Sequence, residues 1–152
     1  MTRRREGGFS LVEVILALGL LAMALVSIAG LFVLGVRQVK SGRSSSEALS
    51  VARAILEEME DGGFRRTYEI YGFDGAAASY VADTRSNAYA SRWQPDLDAS
   101  LHDGYALVEL TSVGPDGSRP PMNRSLAIRV LVTVQWAEGR RHRELWLGTV
   151  RL

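Results

Sequence analysis

The chain has 152 residues, with 18 lysines and arginines against 17 aspartates and glutamates, and no cysteine. That length fits one modest domain, and a formal charge of +1 gives no general case for a nucleic-acid partner. The missing thiols exclude disulfide scaffolds, thiol nucleophiles and cysteine-held zinc, and with only His102 and His142 a metal site would need a majority of carboxylates.

Three arginines, Arg3 to Arg5, open the chain, and from Val14 to Val36 there follow 23 residues without a charge, Ser27 being the only polar side chain. As a helix this run reaches roughly 34 Å, enough to cross a hydrocarbon core of about 30 Å. A buried helix of a soluble domain is usually shorter and keeps a polar stripe, whereas this one is apolar all round, so a membrane span is predicted. The competing reading is a secretory signal with a basic start and a small-x-small cleavage site at Ser27-Ile28-Ala29. It is set aside because the apolar run continues through Leu31, Phe32, Val33 and Leu34, and because Glu13 puts a charge where a plain signal has none. Arg37, Lys40 and Arg43 balance the arginines on the other side, so basic residues alone do not orient the span. Glu13 itself needs an explanation: an acid in an apolar helix costs about 2.5 to 3.5 kcal/mol at mid-bilayer and less near its edge. It requires a cationic partner, or a place where it can snorkel to headgroups.

The residues around it, Gly8-Phe9-Ser10-Leu11-Val12-Glu13, stand between a short arginine-rich leader and the apolar run. This segment resembles the cleavage and methylation motif of type IV prepilins and type II secretion pseudopilins, over about the first forty residues. The resemblance implies that a prepilin peptidase in the inner membrane cuts between Gly8 and Phe9, and that Phe9 then carries an N-methylated amine. Glu13 would pair with the N-terminal amine of a neighbouring subunit and set the axial register of a fibre. It further implies a leader in the cytoplasm and the remainder outside it. Loss of residues 1–8 removes three bases and one acid, leaving 15 against 16 and a side-chain charge of −1.

Beyond the span, Ser41 to Ser46 is polar and contains Gly42, and a loosened helix is expected there. Helical spacing then resumes: Ala48, Ala52, Ile55 and Met59, with Leu49 and Leu56 alongside, make one apolar face that ends at Gly62-Gly63. Glu57, Glu58, Glu60 and Asp61 read as a solvated face. Residues 64 to 103 mix aromatics with Gly, Ala, Ser and Asp without a sustained period, and a long, partly ordered connection is expected. Asp96, Asp98 and Asp103 could offer oxygens to calcium, as a loop of the major pseudopilins does, but their spacing matches no calcium pattern and loop acids without a metal are the preferred reading.

The C-terminal third alternates with period two. Leu126, Ile128, Val130, Val132, Val134 and Trp136 are predicted to face inward from one strand. Tyr105 to Val113 makes a strand before it, joined through Gly114-Pro115-Asp116-Gly117, and Glu144 to Leu152 makes one after the turn at Glu138-Gly139-Arg140-Arg141. The dense basic run Arg140-Arg141-His142-Arg143 is read as a solvated turn in preference to a nucleic-acid site. Serine-triad and phosphate-loop patterns are absent, so no enzyme and no cofactor are expected.

The predicted fold is α+β: a long N-terminal helix, transmembrane in its first half and amphipathic in its second, packed on a C-terminal antiparallel meander, a plan that pilin-like proteins share. The expected divisions are a leader at 1–8, a span and assembly helix at 9–36, an amphipathic extension at 37–63 and a head at 64–152. By resemblance the chain is expected to be a minor pilin or pseudopilin. The head has no cysteine for the C-terminal disulfide loop of many major pilins, and Gly30 lies where many of them have a proline. Expected partners are the peptidase, other pilins through the helix, an inner-membrane assembly platform, and membrane lipid before assembly. The competing function is a single-pass protein whose outer domain binds a ligand and never polymerises, which would need neither Gly8 nor Glu13.

Overall fold

The structure is a computed structural model that describes residues 10–152, so the predicted junction of Gly8 and Phe9 lies outside the described residues. The chain forms two compact units, Met1–Lys40 and Ser41–Leu152. Helix α1 runs Leu11–Glu60 and contributes to both.

In the first unit every described residue from Ser10 to Lys40 is exposed. The apolar side chains are therefore uncovered on all sides, and the segment has the length and hydropathy of a membrane span. The one polar side chain of residues 14–36 is satisfied internally, since Ser27 Oγ donates to the Met23 carbonyl at 2.9 Å, the i−4 bond that lets a hydroxyl sit in an apolar helix.

In the second unit α1 remains helical through residues 41–46, where the sequence predicts loosening. Pairs one turn apart account for this. Ser45 Oγ donates to the Ser41 carbonyl at 3.1 Å, and Arg43 Nε meets Glu47 Oε1 at 2.8 Å, an i,i+4 pair of the kind that supports helices. Ala48, Ala52, Ile55, Leu56 and Met59 are buried, as the spacing predicts, while Leu49 is half-buried.

Four strands follow, β1 (Ser79–Asp83), β2 (Tyr105–Val113), β3 (Ala127–Glu138) and β4 (Arg141–Arg151), in the antiparallel order β1-β2-β3-β4. Residues directly opposite in such a ladder share a face. The register Ala82↔Val108, Val108↔Val132 and Val132↔Leu147 therefore lays one apolar row across the inner face. Ala106, Val108 and Leu110 of β2 and Ile128, Val130, Val132, Val134 and Trp136 of β3 are buried in one core with the stripe of α1. Leu126, predicted inward, precedes β3 and is 75% exposed. Ser125 accounts for this by bonding the carbonyl of Val113 and the amide of Ala127, which ties the chain down before the pleat begins.

The expectation of a long, partly ordered connection over 64–103 is corrected. That stretch holds α2 (Arg66–Glu69), β1, a 3₁₀ turn at Ala90–Trp93 and α3 (Gln94–Ser100). Tyr68, Tyr71, Ala90 and Leu97 from this stretch are buried in the core, and Phe73 stacks on Tyr80 with ring centroids 4.5 Å apart. Aromatic burial and pairing order the segment without any period in its sequence. The solvated acidic face is also only part of the outcome: Glu57, Glu60 and Asp61 are exposed, but Glu58 pairs with Arg92 at 2.8 Å and ties α1 to the turn at Ala90–Trp93.

Candidate processing and assembly site

The described part of the site begins at Ser10, whose carbonyl accepts the amides of Glu13 at 3.0 Å and Val14 at 3.2 Å and so starts α1. Glu13 lies in the first turn of the helix, where the positive end of the helix dipole favours an acid. Leu11, Val12, Val14 and Ile15 surround it in sequence and are all exposed. Among the described residues no ion pair involves Glu13. The arrangement is a carboxylate without a counter-ion among apolar side chains, close to where a new amine would be created by cleavage before Phe9. Gly8 and Phe9 themselves lie outside the described residues.

Further along the same unit, Leu31, Phe32, Val36 and Val39 line a shallow apolar groove opened by Gly35, where an added Cβ would meet nothing within 4 Å. Small residues let another helix approach closely where lipid offers no hydrophobic drive of its own. The chemistry available to the apolar run is thus packing, with the Glu13 carboxylate just before it.

No described group of three metal-ligating side chains is placed to hold a metal ion. The three loop acids serve locally. Asp98 Oδ1 accepts from Gln94 Nε2 at 2.8 Å, Asp103 lies 3.6 Å from His102 Nε2 on the surface, and Asp96 occupies the first turn of α3. Elsewhere Arg85 donates to Asp83 and lies 3.6 Å above the Tyr105 ring. Those hydrogen bonds hold the Asp83 carboxyl below the usual carboxylate range, partly offset by burial.

Sequence reasoning gave the run Arg140-Arg141-His142-Arg143 no neighbour. The structure sets its hairpin against the start of the second unit, since Ser41 Oγ donates to Glu138 Oε2 at 3.3 Å. A contact across 97 residues leaves no periodic signal by which it could have been read.

Residues 3–35 match the family model described as the prokaryotic N-terminal methylation motif. Among curated proteins and among solved structures nothing matches the chain. The match runs from Arg3 through Gly8, Phe9 and Glu13 to Gly35 in the apolar run. The N-terminal segment therefore carries the signature of type IV pilins and pseudopilins. Together with one long apolar helix among the described residues this fits a single-pass, membrane-anchored protein.

Proposed function

We propose that this chain is a structural minor subunit of a type IV pilus or type II secretion pseudopilus. A prepilin peptidase of the inner membrane removes residues 1–8, and Phe9 becomes the methylated N-terminus. The span then holds the protein in the inner membrane, with residues 41–152 outside the cytoplasm, until an assembly platform draws it into a fibre beside other pilins. Glu13 sets the register by meeting the amine of a neighbouring subunit, since a buried carboxylate is tolerable once it is paired.

One observation carries the reading: the methylation motif runs directly into a helix whose described apolar surface is uncovered on every side and whose first turn holds an acid without an ion pair among the described residues. A helix anchored only to lipid needs no such acid. A helix that packs among copies of related helices does, because each supplies the cation for the next.

The test is mass spectrometry of the N-terminus from cells with an active prepilin peptidase. The expected mature chain begins at N-methyl-Phe9, and Gly8→Arg leaves the precursor uncut. An intact Met1 start, or a start at Gly30 from ordinary signal cleavage, overturns the proposal.

A further inference from the structure

The hairpin between β3 and β4 holds the densest basic run of the second unit, and fibre assembly gives it no task. Its geometry is well defined. Glu138 pairs with Arg141 across the stem, which leaves Gly139 and Arg140 as a two-residue loop. Gly139 has φ 64 and Arg140 has no positive φ, the pattern of a type II′ turn, which takes glycine at its first central position. Arg140 therefore sits at the tip. Arg140, Arg141 and His142 are exposed, and among the described residues neither Arg140 nor Arg141 is ion-paired. Of the acids nearby, Asp98 and Asp103 share a pocket with His142 but lie against Gln94 and His102, and the others are spoken for or face elsewhere. Glu138 meets Arg143 at 2.9 Å, Glu47 meets Arg43 at 2.8 Å, and Glu144 lies opposite Gln135 on the outer face of the sheet.

The place of this tip in the second unit matters as much as its charge. The stem is bonded to Ser41 through Glu138, and Ser41 is the fifth residue after Val36, the last of the apolar run. Whatever path those residues take, they span at most about 17 Å. The headgroup layer extends roughly 5 to 8 Å beyond the hydrocarbon on each side, and its potential reaches about 8 Å further at physiological salt. The hairpin base is thus tethered within reach of the lipid surface by the chain itself.

We infer that the β3–β4 hairpin docks on the headgroups of anionic phospholipids, with Arg140 and Arg141 against phosphate oxygens. The inference rests on the reading of residues 14–36 as a membrane span. A polynucleotide backbone offers similar oxygens, but lipid is the favoured occupant. The tether supplies it at high effective concentration, whereas a near-neutral chain exerts no long-range pull on a polyanion. In the membrane-resident protein, the docked hairpin restrains the head before it leaves the bilayer.

The chain has no cysteine, so single labels report cleanly. His142→Cys reports the hairpin. Arg119→Cys, in the connection between β2 and β3 at the other end of the sheet, is the control. The full chain is reconstituted into vesicles of phosphatidylcholine alone or with phosphatidylglycerol, and access of each spin label to a water-soluble relaxant is measured. The expected result is that the label at 142 is shielded in the anionic vesicles only and regains access at 1 M salt, while that at 119 stays accessible throughout. With Arg140→Gln and Arg141→Gln combined, the ratio of docked to free hairpin should fall roughly 25-fold, taking about fivefold for each basic residue near an anionic surface. Equal access in both vesicle types overturns the inference. So does loss of binding to a fluorescent single-stranded oligonucleotide in the double variant without any lipid dependence, which assigns the run to nucleic acid. Release of the protein from vesicles by alkaline carbonate overturns the membrane reading itself and is seen before any label is read.

Discussion

A carboxylate in the first turn of a helix gains about 0.3 to 1 kcal/mol from the helix dipole, less than an unpaired acid loses in an apolar setting. Glu13→Ala and Glu13→Gln are therefore expected to insert at least as well as the wild type while entering filaments poorly. A filament-incorporation assay in which both match wild type removes the pairing with a neighbour's amine. A second residue tests the head. Tyr71 is 1% exposed and its hydroxyl is buried without a hydrogen-bond partner in the described structure. Burial, the largest cause, pushes the phenol well above its ordinary range, and Arg92 opposes that. A buried donor left unmade costs about 1 to 3 kcal/mol, so Tyr71→Phe is expected to leave the melting temperature of the head unchanged or raise it. Because the folded phenol resists ionisation, its contribution is intact below the unfolded value near 10 and is lost as pH climbs above that. The variant should accordingly lose part of the alkaline limb of its stability curve. Asp83 works in the opposite sense. Its carboxyl is held low by Arg85, so the stability it adds is present above the unfolded value of about 3.9 and is lost as pH falls through the lower folded value. Asp83→Asn should flatten the acid limb, by no more than about 1 kcal/mol because the pair is partly exposed. Melting curves at pH 3 and pH 6 check it.

Among the elements, α1 and β3 each contribute more buried residues to the core of the second unit than any other. Ile55 is fully buried at the centre of the helix stripe, whereas Leu49 lies at its margin. Ile55→Ala is expected to cost about 2 to 5 kcal/mol and Leu49→Ala clearly less, which denaturant melts of the head measure. The helix stripe and strands β2 and β3 were legible in the sequence because one face of each is buried and the other wet, which prints a period of 3.6 or 2. Strand β1 was not. Its residues Ser79 to Asp83 have only Ala82 fully buried, and they become a strand through pairing with β2 rather than through their own pattern. The tyrosines at 68 and 71 reach the core from a short helix and a turn, where too few residues exist to show any period. Residues Gly8, Phe9 and Glu13 could be picked out because the motif is contiguous. The contact of Ser41 with the distant hairpin could not. The sheet also has two edges, and β4 is the long one at 11 residues. Arg141, Arg143, Glu144 and Arg151 along it are the kind of charges that discourage unwanted edge pairing.

At the scale of the whole molecule, the division at Lys40 and Ser41 separates a unit in which no described residue is buried from one that holds every buried residue among those described. Residues 41–152 are expected to fold without the span, giving sheet and helix signals by circular dichroism and a single cooperative melt. A featureless spectrum contradicts this. The order of strands along the sheet is the order along the chain, so each new strand pairs with the one just made and no ladder waits for a strand beyond its chain neighbour. Such local closure is the quick way to build a sheet. The stripe of α1 has no such near partner, for Val130 and Val132 follow Ile55 by more than seventy residues. During synthesis the helix therefore emerges early with its apolar face bare, and it stays so until β3 has followed. The interval in which the protein is most open to proteolysis or to wrong association is set by how fast the last quarter of the chain arrives, not by how fast the sheet can form.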